Sequence, residues 1–123
     1  MNKTDFDNWV EAYIDLFDNN DAPDEHHPSY WAVEQFVDLE ADNPEDCWAA
    51  ILSIVAKEPS PRILANLALG PMEELLELHG KDYIDRIESE AARNPDFRNM
   101  LHSLWEITNE DIWGRILRAR LDG

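Results

Sequence analysis

Glu88 stands beside Ile84, Ile87 and Ala91, a spacing that sets a carboxylate on or next to the apolar stripe of a helix. A carboxylate there needs a partner, because breaking a buried pair by removing one member costs about 3–5 kcal/mol. Arg98 is the expected partner, with Glu73 and His79 as further members of one polar cluster. Two roles fit such a cluster. A carboxylate and an imidazole within hydrogen-bond reach could move protons in an enzyme or ligand-binding pocket, or an ion pair could lock helices together without touching any ligand. The clamp is favoured, so no residue is assigned a catalytic role and enzyme activity is the less favoured outcome.

No other constellation carries chemistry. His26 and His27 are adjacent and cannot share a helical face, His79 and His102 are isolated, and no H-E-x-x-H pair occurs. The acidic stretch from Asp18 to Glu25 lacks the spacing and central glycine of a calcium loop. There is no G-x-S-x-G elbow, phosphate loop or dinucleotide glycine pattern. Neither a metal nor a cofactor is expected. Cys47 is the single cysteine, which excludes an intrachain disulfide and suits a reducing compartment. Glu45 and Asp46 would oppose its thiolate, and its spacing to Ile51 turns it inward as a small core residue. Arg115, Arg118 and Arg120 are read as cations complementing the dipole of a last helical turn.

Charge points elsewhere. The net charge is −17, and it is uneven: residues 1–50 carry −13 and residues 51–123 carry −4. Such a field repels phosphate backbones and anionic membranes, so direct nucleic-acid or membrane binding is not expected. A basic protein partner is. Asp15, Asp18, Asp21, Asp24, Glu25, Glu34 and Asp38 would form an acidic rim that speeds encounter, with Tyr30 and Trp31 as aromatic anchors. The expected role is a protein-binding module, such as an immunity-like inhibitor of a basic toxin domain; a face mimicking DNA would be a special case. Acidic faces also serve solubility alone, and the oligomeric state is not legible.

The elements that must position these residues read as helices throughout. Phe6, Trp9, Val10, Tyr13, Leu16 and Phe17 recur at helical steps after a Thr4–Asp7 capping box. Ser29 or a neighbour should open a second helix bearing Trp31, Val33, Phe36 and Val37 and ending near Asp42. Asn43-Pro44-Glu45-Asp46 starts a third with Cys47, Trp48, Ile51, Leu52 and Val55. Ser60-Pro61 and Gly70-Pro71 repeat the stop-and-start grammar around short helices over 62–69 and 72–79, the latter closed by Gly80. A helix over 81–93 follows, then one opened by Asn94-Pro95 and bearing Phe97 to Trp105, then one started by a Thr108–Asp111 capping box. No segment alternates with period two. The expectation is one all-α domain over 1–123, with seven or eight short antiparallel helices as stacked α-hairpins or a short solenoid-like bundle. The opening residues 1–7 have no apolar signal core, and the longest near-apolar run, 48–56, falls short of a membrane span, so a cytoplasmic place is expected.

Gly70-Pro71-Met72-Glu73-Glu74-Leu75-Leu76, His79-Gly80, Ile84, Ile87-Glu88, Ala91, Arg93, Pro95 and Phe97-Arg98, with Trp31-Ala32-Val33 and Pro44 to Trp48 upstream and Leu101 and Trp105 after, resemble a family of short bacterial proteins carrying a domain of unknown function. The resemblance runs over about residues 28–115. It implies a bacterial source and a helical fold, and it carries over no catalytic residue.

Overall fold

The computed structural model describes residues 1–18 and 23–121. Among these there is no strand. Asn2 caps α1 (Lys3–Phe17), its side-chain oxygen accepting from the Asp5 N–H at 2.8 Å. The Thr4–Asp7 box is therefore not the start: an Asn two residues earlier satisfies the orphan amides first. α2 (Trp31–Leu39) begins without a side-chain cap and stops short of Asp42. α3 (Pro44–Ala56) opens as its sequence dictates, with Asn43 both accepting from the Asp46 N–H and donating to the Asp46 carboxylate at 2.8 Å. Ser60 caps α4 (Pro61–Leu67) and Asn94 caps α6 (Pro95–Leu101). α7 (Glu110–Ala119) is capped by Asn109, which accepts from the Ile112 N–H at 3.1 Å, not by Thr108.

The stop-and-start grammar takes another form at two places. At Gly70-Pro71 the chain does not break but widens into a π turn, Ala68–Met72, with Pro71 inside it. Proline cannot donate to the carbonyl four residues back and its ring crowds that carbonyl, so a wider winding accommodates it. At His79-Gly80 the expected junction is present as a kink: His79 leaves the helical region (φ −136°, ψ 25°), and two helical stretches meet there end to end as α5 (Glu73–Arg93). From Pro61 to Arg93 the helical segments follow one another with no intervening loop, and the described residues form six rods, one of them kinked at His79, in place of seven or eight separate helices.

These rods enclose one cluster of buried side chains. α3 lies at its centre, against α1, α2, the π turn, α5 and α6, while α1 covers one side and α7 packs on α5. The arrangement is the bundle form of the expectation. Trp9 is fully buried: its indole N–H donates to the Ala32 carbonyl at 2.9 Å and its ring lies 4.6 Å from that of Phe36. Trp48 and Phe97 meet edge to face at 5.8 Å, joining α3 to α6. Gly80 is buried, and a Cβ there would lie 2.7 Å from the Ile112 Cδ1, so the missing side chain lets α7 approach α5 at the kink. Not every tryptophan turns inward. Trp105 lies beyond the end of α6 and is 72% exposed, and Trp31 is 42% exposed.

Candidate functional site

The expected cluster of Glu73, His79, Glu88 and Arg98 does not assemble. Glu73 sits in the first turn of α5, fifteen residues before Glu88, roughly 22 Å along a helix. His79 turns towards α2, its Nε2 lying 2.9 Å from the Glu40 carbonyl oxygen. Arg98 donates to the Ala91 carbonyl at 2.8 Å, holding the end of α5 to α6. Glu88 pairs with Arg115 of α7, which donates from Nε at 2.9 Å and from a terminal nitrogen, and also reaches Asp85 at 2.5 Å. Arg115 is therefore more than a helix-end cation. Glu88 itself is only half-buried, since it flanks the packed stripe instead of lying on it.

The buried carboxylate of α5 is Glu90, 8% exposed. It receives Arg93 Nε at 3.0 Å and the Asn94 side-chain amide at 3.3 Å. Tyr83, Ile87, Glu90 and Ala91 step along one helical face, and the sequence signal was an acid on that face followed at three and four residues by Arg and Asn. The cluster is local: both partners of Glu90 lie within four residues of it, at the edge of a shallow hollow that Trp48, Leu52 and Arg86 also line.

Hydrogen bonds from Arg115 hold the Glu88 carboxyl below its usual range, against the opposing effect of burial. Such a group binds fewer protons folded than unfolded, so its contribution is complete above the unfolded glutamate pKa of about 4.3 and disappears as pH falls through the folded value. Glu88→Gln should melt below the parent at neutral pH, by a modest margin because the pair is partly exposed and screened. That gap should close on acidification below about pH 4.3, which thermal melts across pH 3–7 would follow; a gap constant to the acid limit would deny the pairing its role.

Cys47 is buried, and burial first, then the Glu40 and Asp46 carboxylates, push its thiol up to about 12. A thiol so placed carries little thiolate at neutral pH. Among the described residues no group of three or more His, Cys, Asp and Glu could hold a metal ion, and no helix is long and apolar enough to cross a membrane.

The acidic face takes a different form from the polar cluster. Asp15, Asp18, Asp24, Glu25, Glu34 and Asp38 are all exposed; Asp21 lies outside the described residues. The Ser29 hydroxyl donates to Asp15 at 2.8 Å, tying the end of α1 to the start of α2 so that these acids sit on adjoining elements. Among the described residues, ion pairs to the N-terminal half join Lys3 to Asp7, Lys57 to Glu11 and Arg86 to Glu45, and none reaches those six acids. Trp31, Glu34 and Asp38 are exposed on the outer face of α2, while Tyr30 is half-buried against the core.

Beside this face runs a groove of about 500 Å³ between α1, α2 and the π turn. Its floor includes Tyr13, Phe36 and Pro71, its lip Val37 and Leu69, and two carboxylates, Glu40 and Glu74, edge it. Sequence reasoning missed it. Six apolar residues in nine make a stripe on α2 too wide for one helix to bury, and Val37 is left 58% exposed.

The sequence model of a family described as being of unknown function (DUF6869) matches residues 19–123. No curated protein and no solved structure matches the chain.

Proposed function

The chain belongs to the DUF6869 family of unknown function, and from that premise we propose that it is a recognition module whose acidic α1–α2 face binds a basic protein. One observation carries the proposal: six carboxylates on adjoining elements stand exposed without an ion pair to a cation of their own chain among the described residues, next to a Trp31 that is 42% exposed. Unneutralised like charge steers an oppositely charged partner, and a partly exposed indole supplies apolar anchoring within the ring it forms. The charge asymmetry adds to this. Arg93 and Arg115 of the C-terminal half pair within it, on Glu90 and on Asp85 and Glu88, and Lys57 and Arg86 reach Glu11 and Glu45 and not the six acids of the face, which leaves an excess negative field on the N-terminal half. The partner is then a basic protein in a bacterial cytoplasm, of the kind that an immunity-like inhibitor would neutralise.

The expected result is retention of a basic protein from the native lysate at low salt, released as ionic strength rises. A variant carrying Asp15→Asn, Asp18→Asn, Asp24→Asn, Glu25→Gln, Glu34→Gln and Asp38→Asn should retain none of it. Recovery of the same protein by that variant, or of no basic protein by the parent, would defeat the proposal.

A further inference from the structure

The groove between α2 and the π turn differs from the rest of the surface in being apolar and acidic at once. Among the described residues no basic side chain lines it, and the charged ones that do are Glu40 and Glu74. Burial first, and then the neighbouring Glu74, raise the Glu40 carboxyl above its ordinary range. Two carboxylates held near each other at an apolar edge repel, and an incoming ammonium or guanidinium relieves that repulsion. Glu40 is also fixed in place, because its carbonyl accepts from His79 at the α5 kink while its side chain faces the groove.

The groove is open along one side, whereas a small-molecule site ordinarily encloses most of its ligand's surface. Val37 at 58% exposure and Leu69 at 40% form a wet lip that a longer occupant would cover. An amphipathic helix laid into a groove buries such a lip with residues at three- and four-residue steps. Charge complementarity requires that helix to be basic on the side facing Glu40 and Glu74.

We propose that this groove takes the apolar face of an amphipathic helix from the partner protein, with a Lys or Arg of that helix set between Glu40 and Glu74. It rests on the basic-partner reading above and adds where, and by what shape of segment, the partner is held. The test uses the full chain and two fluorescent peptides of identical Leu/Lys composition, about 14 residues long, or roughly 21 Å as a helix. One segregates Leu onto a single helical face, and the other has the order scrambled. The amphipathic peptide should bind more tightly by anisotropy. Val37→Ser with Leu69→Ser should weaken it about tenfold, or about 1.4 kcal/mol, and leave the scrambled peptide unchanged. Glu40→Gln with Glu74→Gln should weaken the amphipathic peptide comparably, with circular dichroism confirming that both variants fold. Equal binding of the two peptides, unaffected by either variant, would overturn the groove while leaving the acidic face intact; no binding of either peptide at low salt would overturn both.

Discussion

Replacing Trp9 by alanine should lower the melting temperature by about 12–20 °C, taking about 4 °C per kcal/mol at this chain length and a loss of about 3–5 kcal/mol for a large aromatic removed from a core. Three contributions vanish together. The indole is fully buried, its ring packs tilted against Phe36 at 4.6 Å and meets Phe6 edge-on at 6.1 Å, and its N–H reaches the Ala32 carbonyl. That last bond also holds one of the elements of the proposed acidic face. α2 starts without a side-chain cap, so the Trp9–Ala32 bond and the Ser29–Asp15 bond are what fix its first turn against α1. Trp9→Phe keeps an aromatic ring in the core but removes the donor and part of the buried indole, so it should cost less than Trp9→Ala, about 1–3 kcal/mol. If Trp9→Ala melts within a few degrees of the parent, α1 does not pack on α2 in this way, and the face built on both loses its foundation.

What the sequence made legible follows from how local each cause is. Caps at Asn43, Ser60 and Asn94 are decided within four residues, and each opened the expected helix. Helix ends were less legible because two competing local signals had to be weighed. Asn2 outcompetes Thr4, and Asn109 outcompetes Thr108. Gly70-Pro71 carries the signature of a break, yet burial of Leu67, Ala68 and Met72 holds the chain in register and a π turn absorbs the proline. Partners across the fold were not legible at all. Glu88 had acceptable candidates in Arg98 and Arg115, ten and twenty-seven residues away, and only the packing of α7 on α5, allowed by the bare Gly80, selects the farther one. The acidic face was visible because it depends on composition, whereas the groove beside it depends on three elements meeting and had no sequence signal beyond an overfull apolar stripe on α2.

Phe97 and Arg98 are neighbours on a seven-residue helix, and they should behave very differently when truncated. α6 is too short to be stable by itself. It holds its place because Asn94 caps it with bonds to the Asp96 and Phe97 amides and because the fully buried Phe97 ring meets Trp48 of α3 edge-on. Phe97→Ala should therefore cost about 3–5 kcal/mol, again about 12–20 °C in melting temperature, and release α6 from α3. Arg98 is half-buried and gives one hydrogen bond to the Ala91 carbonyl, so Arg98→Ala should cost about 1 kcal/mol. A clamp between Glu88 and Arg98 would predict the reverse emphasis, with Arg98→Ala as damaging as a broken buried pair. Parallel melts of the two variants decide between an α6 held by its ring and one held by its charge: equal losses, or a larger loss for Arg98→Ala, would contradict the packing described for α6.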